Sequence, residues 1–187
     1  MRNRYLCLAL IAFAVAVAVA RPAHADQNDP GLVPLFQKLK TAPDRETGRE
    51  IEIFIWHIWS KTRTAGGGVL LRQGEQYMNE GKHEAALESF DALVVIEPDF
   101  AEGWNKRATV HYLMGNLDAS VADIQHTLTL EERHFGALSG LGLIYDALGQ
   151  KEAALKAFRA ALDIHPNMDS IRRRAEELVE ETEGIPL

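Results

Sequence analysis

The sequence predicts an all-α solenoid made of three helix–turn–helix repeats. Gly81, Gly115 and Gly149 recur 34 residues apart in similar local sequence. A fixed period of this length is typical of stacked helix pairs. Apolar residues on both sides of each glycine recur at helical spacing, so each repeat is predicted to contain two amphipathic helices joined at its glycine.

Residues 1–25 are predicted to be a secretory signal peptide. Arg2 and Arg4 precede an apolar run of 16 residues, and Ala23-His24-Ala25 has the small-x-small pattern of a cleavage site. An uncleaved anchor is the weaker alternative, because a membrane-spanning helix needs roughly 20 residues. The sequence therefore predicts export, to the periplasm, of a chain that is cleaved after Ala25 and is not inserted in the membrane.

Charge and cysteine content restrict the classes of partner. Removing the three arginines of the first 25 residues takes the formal net charge from −7 to −10 and also removes the single cysteine. An acidic chain is a poor partner for nucleic acid, since phosphate contacts need clustered Lys and Arg. The same argument disfavours an anionic membrane surface. Without disulfides the exported chain must be held together by its core alone.

Residues 26–66 lie outside the repeat register and are predicted to form an N-terminal helix pair and a Gly-rich linker. A short helix is expected over Leu32–Lys40 and a longer one over Asp44–Lys61, with Ala65–Gly68 as the link to the repeats. The longer helix is apolar around more of its circumference than one stripe requires. Two interpretations stay open: a cap on the N-terminal end of the array, or an interface formed by Phe54, Trp56 and Trp59.

The three repeats are predicted to cover residues 67–100, 101–134 and 135–168. Their second helices share apolar positions that would form a buried seam between stacked pairs. Residues 169–187 are predicted to be a C-terminal capping helix and a tail, because this segment is highly polar with a narrow apolar stripe. That stripe contains Ile171, Ala175, Leu178 and Val179.

The repeats carry a recognisable pattern of large and small residues. The third repeat has Leu138, Leu141-Gly142, Tyr145, Ala154, Phe158, Ala161 and Pro166. At this spacing the chain resembles the tetratricopeptide repeat (TPR) family, and in particular the small exported type of Gram-negative bacteria. The second repeat is degenerate and keeps only Trp104, Ala108 and Gly115; the first keeps Gly74, Tyr77, Ala86, Phe90 and Pro98.

The resemblance implies a protein-interaction scaffold whose first helices line a concave groove for a peptide or a partner protein. One subset of the family clamps a C-terminal carboxylate with Lys, Asn and Arg, but Leu71, Glu75, Gly136 and Gly140 stand at those positions here. The groove positions carried over from the family are Leu71, Glu75, Met78, Asn105, Thr109, Tyr112, Ser139, Leu143 and Asp146.

Two functions from different classes remain open at this point. The first is an exported scaffold that binds a partner through the groove and assists envelope assembly. The second is a structural subunit of a larger envelope complex, which docks through the helix that carries Trp56 and Trp59. A scaffold of the first kind is expected to be a monomer, whereas the second kind would self-associate, for example as a dimer, through its exposed apolar helix.

The sequence offers no set of residues for catalysis. The six histidines after residue 25 include no pair three or four residues apart, and no cysteine accompanies them, so no metal site is predicted. Gly140-Leu141-Gly142 is too short for a dinucleotide-binding loop, and no serine lies in a nucleophile elbow. The sequence therefore predicts neither an enzyme nor a cofactor.

Overall fold

The computed structural model describes residues 26–183; the predicted signal peptide and the last four residues lie outside this range. This part of the chain contains nine helices and no strand, which confirms the predicted all-α class. The helices are α1 Leu32–Lys40, α2 Arg45–Trp59, α3 Ala65–Asn79, α4 His83–Ile96, α5 Ala101–Leu113, α6 Leu117–Leu130, α7 Phe135–Ala147, α8 Lys151–Ile164 and α9 Asp169–Glu183.

Each repeat turns at its glycine. Gly81, Gly115 and Gly149 have φ angles of 72°, 77° and 70°, and no other described residue has a positive φ. After α3 the Lys82 N–H donates to the Tyr77 carbonyl at 2.8 Å, and the Gly81 N–H donates to the Met78 carbonyl at 3.0 Å. This pair of bonds satisfies the last carbonyls of a helix only when the residue after its end is left-handed, which explains the glycine at this position.

Close contact between the two helices of a repeat also depends on glycine. The rings of Phe90 and Phe158 lie directly on Gly74 and Gly142, where an added methyl group would overlap them. Both rings are completely buried. These two glycines therefore allow the close approach of the paired helices in the first and third repeats.

The two ends of the array are finished differently. At the C-terminal end, Ile171 and Leu178 of α9 pack on Ala154 and Phe158, so α9 is the predicted cap. At the N-terminal end no helix within residues 26–183 covers α3. Gln76 is exposed there, whereas its counterparts in the later repeats are fully buried. Those counterparts are Val110 and Ile144.

Helices α1 and α2, with the turn at residues 60–64, run along the edge of the array where successive repeats join. We call this segment the edge strap. At one end, the Asn167 side chain between α8 and α9 donates to the Ala42 carbonyl at 3.1 Å. At the other end, the backbone N–H groups of Arg63 and Thr64 donate to the Glu97 carboxylate at 2.9 Å. The edge strap therefore spans all three repeats.

One position of the repeat holds the edge strap in place. Glu97, Glu131 and His165 lie 34 residues apart, each just after the second helix of its repeat, and all are almost fully buried. His165 Nε2 lies 3.4 Å from a carboxylate oxygen of Glu52 in α2. Glu131 binds the Arg133 guanidinium at 2.8 Å, and that group lies 4.3 Å from the ring centre of Phe36 in α1.

The Gly-rich linker predicted over residues 65–68 is part of helix α3. Ala65–Gly68 forms the first turn of α3, because the Thr64 side chain accepts from the Gly67 N–H at 2.9 Å and so caps the helix. A buried carboxylate of Glu97 holds Thr64 in this position. Of the glycines that suggested a linker, Gly67 is needed for space, since a methyl group there would overlap Glu97.

The cap interpretation of the N-terminal helix pair was wrong, and the interface interpretation does not hold for its two tryptophans. The pair does not cap the N-terminal end of the array, and its tryptophans face inward. Trp59 is 1% exposed and stacks on His134 with ring centres 4.2 Å apart. Trp56 is half-buried against Gly136 and donates to Glu52 at 3.1 Å. Of the three predicted interface residues only Phe54 is open to solvent, at 61% exposure, so a subunit that docks through Trp56 and Trp59 has no structural support.

Candidate peptide-binding groove

An open cavity of about 320 Å³ lies between α5 and α7, the first helices of the second and third repeats. Its deepest side chains are apolar or small, and include the buried Ile124 and Ile144. Its rim carries the exposed side chains of Tyr112, Leu113 and Leu143. The cavity is a groove that a large apolar side chain from another molecule can enter.

Small residues on α7 keep this groove open. Gly136, Ala137 and Gly140 face the cavity, and a methyl group added at Gly140 would meet only Ile124, at 3.7 Å. The equivalent space between the first two repeats is closed. Leu71 fills it from α3 and is 4% exposed, and an ion pair between Lys106 and Glu75 closes the space at 2.9 Å.

The groove contains five of the nine predicted binding residues. The structure brings together Asn105, Thr109, Tyr112, Ser139 and Leu143. Whether they bind a peptide stays a prediction.

The other four predicted residues lie outside the groove. Leu71 is part of the core, and Met78 is half-buried against the same cluster. Glu75 is paired with Lys106, while Asp146 accepts two hydrogen bonds from Arg174 of the capping helix at 2.6 and 2.7 Å. The family resemblance implies that every first helix faces the groove. Here Leu71 and Met78 pack in the core instead, and Glu75 and Asp146 form ion pairs.

Most polar side chains of the groove already donate hydrogen bonds within the protein. The hydroxyls of Thr109, Ser120 and Ser139 donate to backbone carbonyls at 2.8–2.9 Å. The Asn105 amide donates to Glu102 Oε2 at 2.9 Å, so one of its donors is already used. Tyr112 is 39% exposed, as expected for a rim residue.

Glu102 lies behind the groove and was missed by the sequence analysis. It is 1% exposed, and its carboxylate contacts Asn105, Lys106 and His134. His134 Nδ1 accepts from the Ala137 N–H at 3.1 Å, so the proton of the neutral ring is on Nε2, which donates to Glu102 at 3.1 Å. One signal in the sequence was available, because Glu102 stands at a repeat position that is glycine in the other two repeats.

The Lys106 ammonium group forms ion pairs within the protein, with Glu75 and Glu102. Burial lowers the pKa of Lys106, but the carboxylates of Glu102 and Glu75 outweigh burial and leave the pKa above its usual value. The ammonium group therefore stays charged and is held between two acids, 3.4 Å from Glu102 and 2.9 Å from Glu75. It is not available as a free cation for a ligand in the groove.

The described residues show no metal-binding set. Within residues 26–183 no group of three or more His, Cys, Asp or Glu side chains could hold a metal ion. The groove is lined by no acidic, basic or histidine side chain. In the same stretch, no helix is both long enough and apolar enough to cross a bilayer.

Comparison with known proteins finds one family throughout. Two family models, both described as tetratricopeptide repeat, match residues 71–130 and 136–168. A TPR repeat-containing protein of Rhizobium etli is 35% identical over 150 residues, which is 80% of this chain and 74% of that protein. The small glutamine-rich tetratricopeptide repeat-containing protein 2 of Saccharomyces cerevisiae is 28% identical over 51% of this chain, but only 28% of the yeast protein is matched.

Solved structures show the same fold at low identity. The first TPR domain of Spaghetti (RPAP3), bound to the HSP90 peptide SRMEEVD, matches with a TM-score of 0.60 and 20% identity. This match covers 63% of this chain and 93% of that one. MamA matches with a TM-score of 0.60 and 21% identity, over 80% of this chain and 85% of its own.

Proposed function

Because the chain belongs to the tetratricopeptide repeat family, we propose that it is a non-enzymatic scaffold that binds a segment of another protein in the groove between α5 and α7. The observation that carries this proposal is the groove itself: an open cavity lined mostly by apolar side chains. The RPAP3 domain of the same fold has a peptide bound. A groove lined by apolar and uncharged side chains suits a peptide better than a reaction.

Tyr112 is the residue that contributes most to the proposed binding. Its ring is rigid, is partly exposed and stands at the rim, where an incoming apolar side chain would cover it. Aromatic side chains that become desolvated at the centre of an interface are frequent hot spots. Leu113 and Leu143 extend the apolar rim beside it.

A capture experiment tests the proposal. The purified protein is used as bait in an envelope extract, and the captured partner is then titrated against the double variant Tyr112→Ala with Asn105→Ala. We expect binding to weaken by about 2 kcal/mol or more.

The matched control changes an exposed apolar pair outside the groove, Ile53→Ala with Phe54→Ala on α2. These side chains are 59% and 61% exposed, so the fold should tolerate their loss. Normal binding by the groove variant together with lost binding by the α2 variant would place the partner on the edge strap instead.

We further propose that the protein works outside the cytoplasm, in the envelope of a Gram-negative cell, with a protein and not a nucleic acid as its partner. The support is the signal-like sequence of residues 1–25 and the acidic balance of the remainder. Cleavage after Ala25 would leave the contacts of the described residues intact, including the pair of Asp26 and Arg63 at 3.0 Å. N-terminal sequencing of the native protein decides this point: a start at Asp26 supports export, and recovery of Met1 in a membrane fraction opposes it.

A further inference from the structure

We infer that the groove selects apolar partner segments whose polar groups are hydrogen-bond donors, such as segments with lysine or arginine, and rejects acidic segments. This inference rests on the proposed function, because it specifies the ligand of the same groove. It follows from the hydrogen bonds that the lining residues already make and from the charges around them.

The orientation of Asn105 is fixed from behind. The Glu102 carboxylate can only accept hydrogen bonds, so the amide nitrogen of Asn105 must face it, at 2.9 Å. The amide oxygen of Asn105 then has both lone pairs for a ligand, beside one remaining N–H. Glu102 cannot move away, because His134 and Lys106 contact the same carboxylate and Trp59 covers His134. Glu102 is therefore a positioning residue that fixes the amide of Asn105 with its oxygen free to accept.

The hydroxyl groups point to the same selectivity. Thr109 and Ser139 each give their single proton to a backbone carbonyl, which leaves oxygen lone pairs for a ligand. The start of α7 could offer N–H groups, but the Ala137 N–H donates to His134, and Trp56 packs over Gly136. Among the lining side chains, the Tyr112 hydroxyl at the rim and the second N–H of Asn105 are left as donors.

The charges also disfavour an acidic ligand. No lysine or arginine lines the groove, and the nearby Lys106 is held between Glu75 and Glu102. Arg174 is likewise occupied, by Asp146, Glu177 and Glu181. A ligand carboxylate would lose water without gaining a cation. A ligand ammonium or guanidinium would find no carboxylate in the lining either, but it can donate to the oxygens of Asn105, Thr109 and Ser139. A basic segment is also attracted by a chain of net charge −7.

Peptide selection tests the inference. A random peptide library is selected on the purified protein, and each enriched peptide is compared with a version in which every Lys and Arg is replaced by Glu. We expect the enriched peptides to be apolar with Lys or Arg, and the acidic versions to bind about tenfold or more weakly. The acidic heptapeptide SRMEEVD serves as a fixed probe and should not bind.

A single substitution should reverse the preference. Gly140 has room for a side chain, since the only contact of an added methyl group would be at 3.7 Å from Ile124. Gly140→Arg places a cation in the groove and should favour the acidic versions. The neutral Gly140→Gln variant controls for size and should leave the order unchanged.

The outcomes separate two kinds of failure. If acidic peptides are enriched, and Tyr112→Ala abolishes their binding, the inference is overturned while the groove remains the binding site. A selection without enriched peptides, or with peptides that Tyr112→Ala does not affect, would overturn the groove as the site and the inference with it.

Discussion

At the residue scale, position decides what a glycine does in this protein. Gly140 and Gly142 lie two residues apart in α7, yet one faces the groove and the other faces a buried ring. The sequence pattern predicted the role of Gly142, because small residues at that repeat position allow close helix packing. It gave no hint that Gly140 would leave a cavity, since this depends on Ile124 from the neighbouring helix.

We expect opposite effects on stability from Gly142→Ala and Gly140→Ala. The methyl group at 142 would overlap the ring of Phe158, so overpacking should cost about 1–3 kcal/mol, reduced by the better helix propensity of alanine. The methyl group at 140 meets open space and should stabilise by up to about 1 kcal/mol. Urea unfolding of both variants measures the difference, and equal effects would show that the two positions are not packed as described.

At the element scale, the helices of the array could be predicted from the sequence repeat, whereas the position of the edge strap could not. The 34-residue period was enough to predict three helix pairs, and the narrow apolar stripe of a highly polar segment predicted the capping helix α9. The course of α1 and α2 could not be predicted, because it depends on buried polar residues of three separate turns, Glu97, Glu131 and His165. The same limit applies to Glu102, because its contact with His134 joins residues 32 apart in the sequence.

Trp59→Ala should release the edge strap. The side chain is almost completely buried among Phe36, His134 and Phe135, so its loss should cost about 3–5 kcal/mol. Phe54→Ala on the same helix is the matched control and should change stability by less than about 0.5 kcal/mol. Denaturant unfolding gives both values. Hydrogen exchange should also become faster at the start of α7 in the Trp59 variant, and unchanged exchange there would contradict the docking.

At the scale of the whole molecule, charge pairs make stability depend on pH. Hydrogen bonding to Arg174 holds the pKa of Asp146 below its usual value of 3.8, and hydrogen bonding to His165 lowers the pKa of Glu52 below 4.5. Groups with a lowered pKa in the folded state bind protons more readily when unfolded. Their stabilising contribution is complete above about pH 4.5 and is lost as the pH falls through the folded values.

The variant Arg174→Met tests this dependence. It removes the partner of Asp146 and Glu181, and so the cause of their lowered pKa values. We expect the variant to be less stable than the parent at pH 7 and to lose less stability between pH 6 and pH 3. Urea unfolding at several pH values measures both slopes, and parallel curves for the two proteins would contradict the assignment.

The edge strap has a consequence for the order in which the chain folds. A repeat array ordinarily needs only neighbouring contacts, so it can fold from its first repeat onward as synthesis proceeds. Here Ala42 contacts Asn167, and Glu52 contacts His165, across 125 and 113 residues. The first helices of the chain cannot complete their packing until the last repeat exists. Loop closure of this length slows folding, and it keeps the N-terminal helices undocked while the rest of the chain is still being made.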